Sequence, residues 1–107
     1  MKTLPFEVNG QKLEKSDNES FESLIRGSTG YLKCSFTFDE SWDGYTKAVE
    51  FLSTESPQYF FLNKDNTIDI PSNITSLPYF KVKLIGILGK ESKFSTNAVL
   101  VKQKRGY

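Results

Sequence analysis

Tyr31-Leu32-Lys33-Cys34-Ser35-Phe36-Thr37-Phe38 is the segment that decides the fold class of this chain. Leu32, Cys34, Phe36 and Phe38 fall on one side of an extended backbone, and Tyr31, Lys33, Ser35 and Thr37 on the other. That is the period of a strand with one face in a core and one near solvent.

Downstream, Asp39-Glu40-Ser41 breaks the alternation before Trp42. Asp43-Gly44 marks a turn into a second strand, Thr46 to Leu52. These two strands lie in one sheet or bridge its two layers. Gln58 to Leu62, bounded by Pro57 and by Asn63-Lys64-Asp65-Asn66, reads as a strand ending in a tight turn with Thr67 to Ile70 as its partner, which Pro71 stops. Tyr79 to Leu88 sets Phe80, Val82 and Leu84 against Lys81, Lys83 and Ile85, and Gly86 with Gly89 suggests a bulge or turn. Phe94 to Lys102 is the closing strand. Upstream, Phe6 to Leu13 flanks Asn9-Gly10 and is predicted as a hairpin on a type I′ turn. Glu14 to Ser28 is polar, with Phe21, Leu24 and Ile25 at helix-like spacing, and fits a loop or one or two helical turns equally well. Seven or eight short strands without a long amphipathic helix point to an all-β sandwich rather than a parallel α/β sheet.

A chain of 107 residues forms a single domain, and its 14% aromatic content predicts an aromatic core. Its net charge of +1 is far from the basic balance needed to neutralise a phosphate backbone, so nucleic acid is not an expected partner. Pro5 and Glu7 interrupt the start before a signal peptide or membrane helix can form, and a soluble intracellular product with no membrane partner is expected. On that ground the sequons at Asn18 and Asn73 are expected to be plain polar loop residues.

With 0 His in the sequence, the usual general base, the Ser-His-Asp arrangement and the common zinc sites have no residue to build on. Cys34 is the sole cysteine and sits on the apolar face of its strand, where a buried, inert thiol is expected. Asp39, Glu40 and Asp43 cluster, but at a spacing that suits a solvated turn better than a calcium loop. Gly86 to Glu91 lacks the pattern of a phosphate-binding loop. The expectation is no enzyme, no cofactor and no metal.

Tyr59-Phe60-Phe61 cannot all point inward from one strand, so at least one of these rings is exposed or covered by a partner. Tyr31 and Tyr45 join them as candidate interface residues, and Tyr31, Tyr45 and Tyr59 as candidate sugar platforms. Phe36, Phe38 and Phe51 are candidate core anchors. Trp42, beside a turn, is either a core plug or a binding anchor.

Ser35 to Phe51 carries a strand ending in Phe36-Thr37-Phe38, then Trp42-Asp43-Gly44, then Lys47-Ala48-Val49-Glu50-Phe51. With Asp65 to Pro71, Phe80 to Gly86 and Ser95-Thr96-Asn97 in the same order, it resembles the immunoglobulin-like N-terminal module of baseplate, tail-fibre and head-fibre proteins of phages infecting Gram-positive bacteria. The resemblance spans about residues 31 to 102. It implies an immunoglobulin-like sandwich of antiparallel strands with Trp42 as the plug between sheets, used as a virion structural or attachment module. Two features depart from the pattern: an added hairpin and polar connection over residues 1–30, and a basic tail at 103–107 where family members continue into further domains. The expected plan is a single domain over 1–107 with its core sandwich at 31–102. The expected partners are other virion proteins or a second copy, with localisation in the virion and in the host cytoplasm before assembly. An inhibitor of one host protein and a carbohydrate-binding module contacting host surface glycan are the alternatives.

Overall fold

Strands with one apolar face must bury it, and here they bury it against each other in two sheets, seen in a computed structural model that describes residues 2–27, 30–53, 57–90 and 92–104. The hairpin sheet has the order β2-β1-β3-β6, built from β1 (Lys2–Asn9), β2 (Lys12–Lys15), β3 (Leu32–Phe38) and β6 (Thr67–Asp69). The β7 sheet runs β5-β4-β7-β8, from β4 (Thr46–Leu52), β5 (Gln58–Phe61), β7 (Tyr79–Leu88) and β8 (Ser92–Ser95). In the same sheet β9 (Val99–Lys102) pairs with the first half of β7. The chain is thus an all-β sandwich, as the alternation predicts. Its one α-helix among the described residues, α1 (Ser72–Thr75), has 4 residues.

β3 and β4 lie in different sheets and so bridge the two layers, one of the two arrangements expected. Other pairings depart from the sequence reading. Thr67 to Ile70 is not the partner of Gln58 to Leu62: β6 pairs with β3 through Cys34↔Ile68, and β5 pairs with β4 through Val49↔Phe60. The turn between them is tight, with the Asn66 N–H donating to the Asn63 carbonyl at 2.9 Å, but it carries the chain from one layer to the other. A turn signal marks a change of direction; which ladder the next strand joins depends on the long strands already available, here the 7-residue β3 and β4. The strands are also not all antiparallel. β1 and β3 run parallel through Phe6↔Phe36, which the long return between β2 and β3 permits.

The hairpin closes at Asn9↔Lys12, so its loop is Gly10-Gln11 rather than Asn9-Gly10. Gly10 has φ +59° and Gln11 is not among the positive-φ residues, the pattern of a type II′ turn with glycine first and not of type I′. β1 lies between β2 and β3 with Leu4, Phe6 and Val8 fully buried, so the hairpin is built into the core. In the segment after it, Glu19–Phe21 forms a 3-10 turn that buries Phe21, and Leu24 is buried too. Asn73 lies on α1 rather than in a loop.

Gly86 makes neither bulge nor turn; it stands inside β7 opposite Phe94. The bulge falls in the closing strand, which splits into β8 and β9. Between the pairs Ile85↔Ser95 and Val82↔Val99, β7 advances three residues and its partner four. The expected basic tail is also partly tied down. Gln103 is buried, its N–H donating to the Pro78 carbonyl, and Lys104 forms a parallel bridge with Ile25. Residues 105–107 of that tail lie outside the described residues.

A chain of ring contacts crosses the molecule. Phe6 meets Phe21 at 5.1 Å and Phe36 at 5.2 Å, Phe38 meets Trp42 at 5.0 Å, and Trp42 meets Phe94 at 4.4 Å. Trp42 is fully buried and donates its indole N–H to the Gly10 carbonyl at 2.8 Å, which satisfies its polar edge inside the core. The Asp39 carboxylate accepts the Gly10 N–H at 3.1 Å, so the hairpin tip is held through both its backbone groups. Phe36 and Phe51 are buried, and Phe38 is half-buried against the same core.

Candidate functional site

The outer faces of the two sheets differ in chemistry because the residues left over by inward packing differ. On the hairpin sheet those outward positions are Thr3, Pro5 and Glu7 of β1, Lys33, Ser35 and Thr37 of β3, and Thr67 and Asp69 of β6, a polar set suited to water. On the β7 sheet, the registers place Ala48 between Phe61 and Ile85, with Ile87 one step further along β7. Phe61 is 67% exposed and Tyr59 57%, which makes them the most exposed aromatics among the described residues.

These side chains line a shallow concavity of about 330 Å³ whose walls are Ala48, Tyr59, Phe61, Ile85 and Ile87, with Lys90 and Lys93 at its rim. Leu52 and Leu100 continue the apolar character along the same face, flanking Lys81 in register. Apolar clusters of this kind on an exposed sheet face mark contact surfaces.

Glu50 sits on that face with only 5% exposure, between Tyr59 of β5 and Lys83 of β7. Its charge, and the hydrogen bond it accepts from the phenol, hold Tyr59 above the ordinary tyrosine range. The remaining charged residues at outward positions of the sheet are Lys81, Lys83, Lys93 and Lys102, all exposed or half-exposed. The face therefore combines an apolar centre, one covered carboxylate and a cationic surround.

The five residues named from sequence as interface candidates do not form one patch. Tyr59 and Phe61 stand together, while Phe60 turns inward onto Phe51 with ring centroids 5.9 Å apart. Tyr45 is half-buried and packs edge-on against Phe94 at 4.8 Å. Tyr31 is 50% exposed but precedes β3 in the other sheet. The sequence reading missed Ala48, Ile85, Ile87 and Glu50. The signal for the isoleucines was the unbroken apolar run Leu84-Ile85-Gly86-Ile87-Leu88, which marks a strand covered on both faces.

Elsewhere, the polar groups singled out from sequence serve the fold. The Ser41 hydroxyl and the Gly10 N–H donate to Asp39 and hold its carboxyl below the usual range. The Thr67 hydroxyl does the same for Asp65 in its turn. Cys34 is fully buried, and desolvation pushes its thiol far above the ordinary cysteine range. No group of three or more metal-ligating side chains occurs among the described residues, and no described helix is long and apolar enough to cross a membrane. No family model and no curated protein matches the chain.

Proposed function

We propose that this chain is a non-enzymatic protein-binding module of a phage virion, a head-fibre, capsid-decoration or baseplate and tail component, and that it docks on another virion protein through the outer face of the β7 sheet. The observation that carries the binding reading is the exposure of Phe61 and Tyr59, 67% and 57%, on one strand, with the apolar row Ala48–Ile85 in register with Phe61. The virion context comes from the resemblance across residues 31 to 102. Lysines around an apolar centre fit a partner whose own contact has an apolar centre and carboxylates at its edge, and such charges raise association rate and specificity. Display in many copies lets individually weak contacts add. Two tyrosines proposed as sugar platforms are placed apart from Tyr59, one against Phe94 and one before β3, which weakens the glycan alternative.

The test is affinity capture from phage-infected cells with the tagged protein and an Ile87→Glu variant side by side, the bound proteins being identified by mass spectrometry. Capsid, fibre or tail proteins held by the parent and lost by the variant are the expected result. A single stoichiometric host protein in their place would replace this reading with the inhibitor.

A further inference from the structure

The β7 sheet ends at β5, and that edge differs from every other sheet edge among the described residues. Free edges invite another strand, and proteins discourage this with charge, bulges, shortness or a cover. β2 carries Lys12, Glu14 and Lys15, and the Asn97 side chain occupies its outer backbone, accepting from the Leu13 N–H at 2.8 Å and donating to the Leu13 carbonyl at 3.0 Å. β6 has 3 residues and ends in Asp69. β8 and β9 are parted by the bulge. β5, Gln58-Tyr59-Phe60-Phe61, has no charge and no bulge.

Backbone geometry says which groups it offers. The Leu62 N–H donates to the Lys47 carbonyl at 3.1 Å, so the hydrogen-bonded pairs of the β4–β5 ladder are Val49 with Phe60 and Phe51 with Gln58. Alternation then turns the N–H and C=O groups of Tyr59 and Phe61 away from β4, toward the open edge. These are the same residues whose side chains are the most exposed aromatics of the β7 sheet.

We propose that β5 pairs antiparallel with β5 of a second copy of this chain about a two-fold axis at Phe60. In that register Tyr59 faces Phe61 of the other copy and Phe61 faces its Tyr59. All four edge groups of each strand are then hydrogen-bonded, and the aromatic rings form cross-strand pairs on the outer face. A two-fold axis at Tyr59 is poorer, because it sets Phe61 against Pro57, which has no N–H to give. Charge selects edge pairing over stacking of two β7 sheets face to face: stacking would set Lys81, Lys83, Lys93 and Lys102 against the same residues of the copy, whereas β5 has no charge to oppose. Across the axis the row Ile85–Ala48–Phe61 of one copy meets the row Tyr59–Glu50–Lys83 of the other, so the seam itself is aromatic while each apolar row ends at it. This inference does not depend on the virion reading.

The test is sedimentation velocity of the full chain from about 10 µM to about 1 mM, the range in which a short strand-pairing contact would be populated. The expected result is a monomer–dimer equilibrium in which Phe61→Lys and Tyr59→Lys each raise the dissociation constant at least about tenfold. Leu100→Lys, on the opposite side of the same face, should leave it unchanged. On the unaltered protein, hydrogen exchange at the Tyr59 and Phe61 amides should slow as concentration rises. A monomer throughout the range, an assembly larger than a dimer, or a dimer insensitive to both β5 substitutions would overturn the proposal, as would exchange at those amides that is independent of concentration.

Discussion

At Gly86 a missing side chain is a packing requirement. A Cβ placed there would stand 2.8 Å from Phe94 Cε1 and 2.9 Å from Trp42 Cζ3, closer than carbon atoms approach. The indole and the phenyl ring use that space to bridge hairpin tip, β7 and β8. Gly86→Ala should therefore destabilise the fold by about 1–3 kcal/mol through overpacking, read as a lower denaturation midpoint at unchanged m-value. Tyr59 gives a second expectation at this scale. Its folded pKa is raised above the ordinary 10.0 by Glu50, so the stabilising contribution of the neutral phenol is fully present below pH 10 and is lost as pH rises through the folded value. Absorbance titration should show one phenol ionising late. Tyr59→Phe should remove that component, and Glu50→Gln should bring it back toward the ordinary range.

At the scale of the element, the closing strand shows how a short motif is read twice. In the sequence, Ser95-Thr96-Asn97 falls within the expected closing strand, Phe94 to Lys102. In the fold it is the bulge, with Thr96 Oγ1 accepting the Leu84 N–H at 3.0 Å and donating to the Asn97 carbonyl at 2.9 Å. Asn97 then reaches across to the Leu13 backbone and joins the edges of the two sheets. Asn97→Ala should cost about 0.5–1.5 kcal/mol and speed hydrogen exchange at Leu13, because it removes both bonds from that edge while leaving the β7 ladder intact. The individual strands were legible where alternation is long, as in β3 and β7. The interruption at Thr96 was not, since a bulge depends on what the partner strand offers.

At the scale of the whole molecule, alternation along the chain determined the fold class. It predicted an all-β sandwich, a buried Phe36, a buried and inert Cys34, and at least one aromatic of β5 left outside. Those properties are local: which way a side chain points follows from the period of its own strand. Only the tertiary structure decided that β6 joins β3, that β1 and β3 run parallel, and that Phe61, Tyr59, Ala48, Ile85 and Ile87 share one face. Pairing is a competition among strands distant in sequence, settled by loop closure and by the summed burial of the core rather than by any one segment.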